Sequence, residues 1–521
     1  MNIQQLDNDS PIQIEPEQLI EIDPYTLQFG KLNGRFSIIN FDLMHMEWTI
    51  ITDRIGAYHV YALYKDGLVQ AIGDDLAELA QHSTKRLDYQ ALATFLTFGF
   101  FLDDRTYFED IRILLPASIY RFSTEGILLE HRKYWEWHHT VDETRTYEQT
   151  LEEYDVLFRQ AVQRCVRNGK VLLPLSGGLD SRSLAAVLPY DADVETYSYG
   201  YTDDSIEIRI AQQIAKTRNL SFTAHTIRPY LFDRLPAIVK ALHGSQDVTQ
   251  ARQASISEWL SQHGDAVITG LWGDVWCDQM GAADGLAPDT SVTQQTVKKL
   301  KKRGYEWLLS HLLSDGTSRV TLDYLVSLVE TGIQQFQHIE DIDFRIKAYK
   351  TSRWAFRWSN ASLRAFELGA TPRIPYYDID LIDFFCTVPT DFVRDRRLQI
   401  DHLKRYAPDL ARIEWQASHT NLYQIAHSRW LSLPKRAIRK IQRTITRKSP
   451  IQRNWEVQLL GKESRPQLEQ WLLAPNLHIS NLFNIADLSS LIDDFYIAPR
   501  AEGGYTVSML LTISAWLESV L

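Results

Sequence analysis

Apolar positions in the middle of the chain fall into two alternating patterns. Val171-Leu172-Leu173-Pro174-Leu175 is a short unbroken apolar run, the form of a strand buried on both faces. Two glycines follow, and the stretch from Asp180 through Leu184, Ala185, Ala186, Val187 and Leu188 reads as a helix. Residues 194–200 read as the next strand. Residues 206–217 then carry Ile206, Ile210, Ala211 and Ile214 at helical spacing. Residues 221–227 are again extended, and 265–270 form another buried strand ending in Gly270-Leu271-Trp272-Gly273-Asp274. Strands and helices in alternation predict a parallel α/β domain. The first 140 residues differ, because their alternating apolar positions suit an antiparallel sheet layer. The polar, charged run 136–150, with His138 and His139, marks the junction, so two domains are expected, 1–140 and 141–521.

Composition narrows the class. The chain has 521 residues, 45% apolar and 23% charged, which is ordinary for a soluble globular protein. A net charge of −11 argues against nucleic acid as a general partner. Cys165, Cys277 and Cys386 are far apart, which excludes zinc ribbons and sulfur-relay chemistry and offers no disulfide framework. The N-terminus lacks the charged and apolar regions of a signal peptide, and no stretch approaches the ~18 apolar residues of a transmembrane segment. A cytoplasmic protein is expected. Residues 435–453 carry Lys435, Arg436, Arg439, Lys440, Arg443, Arg447, Lys448 and Arg453 with no acidic residue, and Ala437, Ile438, Ile441 and Ile445 at helical spacing. This basic amphipathic stretch reads either as a solvated helix packing one face or as a peripheral contact for an anionic surface. Trp354-Ala355-Phe356-Arg357-Trp358 places aromatics at i and i+4, which reads as core rather than as a sugar or peptide groove.

The chemistry centres on Ser176-Gly177-Gly178-Leu179-Asp180-Ser181. Glycines let the backbone approach a ligand closely, and a helix start offers N–H groups and a positive dipole end to a phosphate. Asp180 would repel that phosphate directly, so its sensible role is to hold Mg²⁺. The loop is not a Walker A motif, since no Gly-Lys-Ser/Thr follows at the required spacing. In a doubly wound sheet, ligands collect beyond the carboxyl ends of the strands. Asp180 and Asp274 both lie just past such ends, so they are expected to share one Mg²⁺ with the phosphates of a bound ligand. The plainer alternative is a strand-to-helix turn capped by Ser176 and a loop capped by Asp274.

The hexapeptide resembles the PP-loop of ATP pyrophosphatases, which split ATP into AMP and pyrophosphate. The wider chain resembles the asparagine synthetase family. Thr269 to Asp274 matches the family's Ser-Gly-Glu-Gly-x-Asp element, and Arg373-Ile374-Pro375-Tyr376-Tyr377-Asp378 its Arg-Val-Pro-Phe-Leu-Asp segment. An acidic stretch (Asp203, Asp204, Glu207), a late His225 and a final helix with Trp516 fit the same order. Leu32 to Ile38 and Thr52 to Gly56 resemble two internal strands of the family's glutaminase domain, and Arg105 to Pro116 with Tyr134-Trp135 its exit. The resemblance implies an α+β N-terminal Ntn-type antiparallel sheet domain. An α/β PP-loop (adenine nucleotide α-hydrolase-like) domain with a helical C-terminal part would follow. It implies Ser176, Gly177, Gly178, Asp180 and Ser181 at the pyrophosphate, Asp180 and Asp274 on Mg²⁺, and Leu175, Ser198 and Gly270 near the nucleoside.

Departures from the pattern shape the expected activity. Glutaminases of this family use an N-terminal cysteine, and Asn2 follows Met1 here, with about thirty residues before Leu32. No glutamine hydrolysis is expected, and the sheet would keep a structural role. Leu271 replaces the family's glutamate, Thr371 stands near the glutamate before Arg-Val-Pro, and Gln416-Ala417-Ser418-His419 replaces the lysine that supports the leaving pyrophosphate. Arg182 is the foremost candidate to replace that cation, ahead of Lys404, Arg405, Arg396 and Arg397. The implied reaction is an AMP-forming amide ligation. It joins a small-molecule, peptide or sugar-acid carboxylate to ammonia or an amine, and free aspartate is disfavoured as the acid. The alternative is a non-catalytic scaffold or ATP-binding partner protein.

Overall fold

Five parallel strands form the sheet that positions the chemistry, in the order Ser221–Thr226, Val194–Gly200, Val171–Pro174, Ala266–Ile268, Thr371–Arg373. Val171, Leu172 and Leu173 are wholly buried, as a central strand covered on both faces requires. The chain builds outward from this strand in one direction, returns, and builds in the other. The order therefore reverses between Val171–Pro174 and Ala266–Ile268, and that reversal opens a crevice at the carboxyl ends of those two strands. The computed structural model describes residues 12–14, 29–202, 205–281, 291–313, 320–425 and 453–521. Asp203, Asp204 and the basic stretch 435–453, apart from Arg453, lie outside the described residues.

The helices follow the periodicity that predicts them. Ile206–Thr217 buries Ile208, Ile210, Ala211 and Ile214 against the sheet. Tyr147–Val166 starts at a capping box in which Thr146 and Gln149 satisfy each other's backbone N–H groups. Asp180–Val187 is buried around its whole circumference. The final helix, Ala501–Val520, is apolar on every side because Leu231–Leu242, Ser464–Leu473 and Ile485–Ile497 surround it. Ile342–Lys350 runs on into a π-helix, Thr351–Ser359, a rare form that recurs at functional sites.

The N-terminal part holds two antiparallel sheets. One has the order Ser37–Asp42, Glu47–Thr52, Ser118–Ser123, Leu128–Lys133, and the other Leu68–Gly73, Tyr61–Lys65, Ile111–Ile113. Ile50, Tyr120 and Phe122 meet Val60, Ala62 and Leu114 between them. The antiparallel layer, the parallel α/β domain and the helical C-terminal region match the fold expected from sequence. The segment 52–56 is an exception, since the strand ends at Thr52. Asp53 then turns the chain by accepting N–H bonds from Ile55, Ala57 and Tyr58 at 2.9–3.0 Å.

Buried polar contacts fasten this layer to the parallel-sheet domain. Asn33 donates to Asp378 at 2.7 Å, Arg54 to Asp383 at 2.6 Å, and Asn360 to the carbonyl of Gly56 at 2.9 Å. His59 meets the Phe356 carbonyl at 2.7 Å, and burial holds its imidazole well below the usual histidine range.

Candidate functional site

Two loops fill the crevice where the strand order reverses. The first, after Val171–Pro174, carries Ser176 to Ser181. The second, after Ala266–Ile268, carries Thr269 to Asp274. Glycine lets them touch. A Cβ on Gly270 would lie 2.9 Å from the Asp180 Cβ, and one on Gly273 would lie 2.8 Å from Asp180 Oδ1 and 2.7 Å from the buried ring of Tyr376. Asp180 and Asp274 are thereby brought to one place, with Asp274 exposed to the crevice. Between them Trp272 adopts φ +75°, a conformation that costs a bulky residue ~1–3 kcal/mol. Its indole is 4% exposed and donates to Thr351 Oγ1 at 3.3 Å, which holds the strained turn in place.

The glycine loop is shaped by its own hydroxyls. Ser181 Oγ accepts from the Ser176 N–H at 3.1 Å, and Ser176 Oγ accepts from the Gly178 N–H at 3.2 Å. Leu175 donates its N–H to the Tyr197 carbonyl at 2.7 Å, which sets it beside the buried Ser198 on the neighbouring strand. The Gln416 N–H bonds the Gly177 carbonyl at 3.1 Å, and a Cβ on Gly177 would come within 2.7 Å of the Gln416 Cβ. The segment in which the lysine is missing therefore does lie on the loop, but it presents a glutamine.

The cation on Asp180 comes from elsewhere. Arg396 donates to Asp180 Oδ1 at 2.9 Å and to Oδ2 at 3.4 Å, and Gln399 donates to Oδ1 at 3.0 Å. Asp395 and Arg396 sit at φ +55° and +63°, two successive left-handed residues that turn the guanidinium inward at the start of helix Arg397–Tyr406. Arg182, the foremost candidate from sequence, makes other contacts. Its side chain is wholly buried and donates to the carbonyls of Leu410, Ile413 and Glu414 at 3.3, 3.0 and 2.6 Å. It ties the glycine-loop helix to segment 410–414. Lys404 pairs with Asp401, Arg405 pairs with Glu148 and Glu152, and Arg397 covers the ring of Tyr147.

Electrostatics single out Asp180. Burial pushes its carboxyl up to about 6, with Arg396 pulling it down and Asp274 pushing it further up. A divalent cation would relieve both the burial and the repulsion between the two carboxylates, so this donor set fits Mg²⁺. Among the described residues no group of three or more His, Cys, Asp or Glu could hold a metal alone. That accords with a hard ion bound by two carboxylates and substrate phosphates.

A cavity of about 470 Å³ opens beside Asp274 and Arg396. Lys350 lines it, 5.3 Å from the ring centres of both Trp272 and Trp354. Trp354, expected in the core, is half-buried and forms part of the wall, because the π-helix turns it toward the space. Phe100 of the N-terminal part packs on it in a tilted contact, ring centres 5.7 Å apart. Lys350 and Gln399 carried no sequence signal, since neither sits in a motif or at a strand end. The three cysteines are buried and form no disulfide, and burial pushes the thiols of Cys277 and Cys386 up to about 12.

Two families match the sequence. Residues 153–274 match the asparagine synthase family, and residues 26–135 match the glutamine amidotransferase domain family. No curated protein matches the chain. The first match runs from helix Tyr147–Val166 through the glycine loop and ends at Asp274, before Lys350, Trp354 and Arg396.

Proposed function

The chain belongs to the asparagine synthetase family of ATP-dependent amide ligases, and from that premise we propose that it adenylates a carboxylate and passes it to ammonia or an amine. The observation that carries this reading is the meeting of Asp180 and Asp274 at the reversal of the sheet, beside a glycine loop and the half-buried Arg396. When bound, Mg·ATP supplies an electrophilic α-phosphate and a pyrophosphate leaving group. Ser176, Gly177, Gly178 and Ser181 would cradle the pyrophosphate, Asp180 and Asp274 would hold Mg²⁺, and Leu175, Ser198 and Gly270 would border the nucleoside. Arg396 would leave Asp180 for the departing pyrophosphate, where a positioned cation offsets developing charge. It takes the part that Arg182 cannot reach from its carbonyl partners. The walls of the crevice align the acid and keep water from the activated acyl group.

Glutamine hydrolysis is not part of this proposal. The three cysteines lie in the parallel-sheet part at 165, 277 and 386, all buried, and the antiparallel layer is fastened by polar contacts of a structural kind. The division near residue 140 into a glutaminase-like layer and a synthetase domain belongs to the same reading. Among the described residues no helix is long and apolar enough to cross a membrane.

Calorimetric titration of Mg·ATP into the wild type and Asp180→Ala is the test. Binding that requires Mg²⁺ and weakens in the variant is expected, followed by pyrophosphate release when acids are screened with ammonia. Absence of binding at millimolar ATP would overturn the ligase reading and leave a scaffold.

A further inference from the structure

The cavity beside Asp274 carries information about the acid, on the basis of the ligase reading above. Four cations line it, Lys299, Lys350, Arg353 and Arg396, against two carboxylates, Asp274 and Asp278. That excess of positive charge occurs in a chain whose net charge is −11. Arg396 is engaged by Asp180, and Lys350 feels the charge of Asp274. Among the described residues, Lys299 and Arg353 have no carboxylate within ion-pair distance. Lys299 donates to the Met280 carbonyl at 2.7 Å and Arg353 to Gln335 Oε1 at 2.7 Å, both neutral acceptors. The remaining wall is largely apolar and includes Phe100, Met280, Val292, Leu300 and Trp354.

We infer that this cavity holds the body of the acid substrate, and that the acid has an apolar or aromatic frame and a second anionic group received by Lys299 and Arg353. A volume near 470 Å³ falls in the ~300–1,000 Å³ range of sites for drug-sized ligands, so an amino acid as small as aspartate would leave most of it unfilled. An amine would be repelled by the four cations. The glycine loop proposed to cradle pyrophosphate lies apart from it, since Ser176, Gly177 and Gly178 do not line the space. One carboxylate of the acid would face Asp274 and the nucleotide, and the other would pair with Lys299 and Arg353 through charge-assisted hydrogen bonds. Phe100 and Trp354 would pack side by side against the frame, which gives the N-terminal layer a direct part in selecting the substrate.

Binding is measured by calorimetry on the full chain without ATP, using phthalate, terephthalate, biphenyl-4,4′-dicarboxylate, benzoate and aspartate. At least one aromatic dicarboxylate is expected to bind about tenfold or more tighter than both benzoate and aspartate, the gain of one charge-assisted contact. Arg353→Ala and Lys299→Ala are expected to remove that tenfold advantage over benzoate and aspartate. The inference is overturned if aspartate binds as tightly as every dicarboxylate, if the two variants leave dicarboxylate binding intact, or if magnesium pyrophosphate displaces the dicarboxylate. A bound dicarboxylate without any Mg·ATP binding would sink the ligase reading alone. Mg·ATP binding through Asp180 with no dicarboxylate bound would sink the cavity assignment alone.

Discussion

Two aspartates, the buried Asp378 and the half-buried Asp180, occupy segments that resemble family elements, and their surroundings could hardly differ more. Asp378 is closed on every side. Arg164 donates to its two oxygens at 2.6 and 2.8 Å, Asn33 adds a bond at 2.7 Å, and the Asp380 N–H a fourth at 3.1 Å. Asn33 Oδ1 in turn accepts from the Ile379 N–H at 3.2 Å. Asp180 shares one arginine and one glutamine and faces a second carboxylate, and both Arg396 and Asp274 border a cavity. A saturated buried cluster rigidifies an interface, whereas an under-compensated one is poised to take a ligand. The first therefore joins the two parts of the chain, and the second is where chemistry is proposed.

The contrast breaks most sharply at Arg396. Arg396→Ala is expected to lower the rate of pyrophosphate release by ~10²–10³-fold, the loss typical of one preorganised donor at a developing charge. Arg396→Lys should recover part of it. If the Ala variant keeps its rate, the cation at the leaving group lies elsewhere. Next in size is Gly273→Val, whose Cβ would strike Asp180 Oδ1 and the buried Tyr376 ring. A displacement of about 1 Å at Asp180 is expected to weaken Mg·ATP binding by ~10²-fold, read by calorimetry on protein shown by circular dichroism to be folded.

On the saturated side, effects fall on stability and not on the nucleotide. Asn33→Ala deprives Asp378 of a buried donor and the Ile379 N–H of its acceptor, at a cost of ~1–3 kcal/mol in urea unfolding. Mg·ATP affinity should be unchanged. Arg182→Met should behave alike, because the carbonyls of Leu410, Ile413 and Glu414 lose their donor while Arg396 still serves Asp180. A collapse of catalysis in folded Arg182→Met protein would restore the sequence-based assignment of Arg182.

These cases show which parts of the site could be read from sequence. The glycine loop and the strands around it were legible, because short apolar runs and glycine spacing encode them locally. The meeting of Asp180 with Asp274 followed from a topological rule rather than from any contact visible in sequence. Arg396 was only one cation among several, since two successive left-handed non-glycine residues leave no compositional trace. Trp354 was assigned to the core on a 3.6-residue period, and the π-helix alters that period. The contacts of Arg182 were not legible, because a helix start suggests an open phosphate site, whereas Ser181 to Val187 are all buried and the guanidinium reaches segment 410–414.

The smallest expected effect is also the most direct probe of the under-compensated cluster. Mg²⁺ needs Asp180 ionised, and burial has pushed that carboxyl up to about 6. Above pH 6 the metal meets a carboxylate, and below it a proton competes, so Mg·ATP affinity should fall by about tenfold per pH unit on the acid side. Asp180→Asn supplies the nucleotide's own titration as the reference to subtract. The sign for the neighbouring variant follows from the same forces. Arg396 favours the ionised form, so Arg396→Ala should move the midpoint upward, while a midpoint that stays or falls would mean that the ion pair does not set the charge of Asp180.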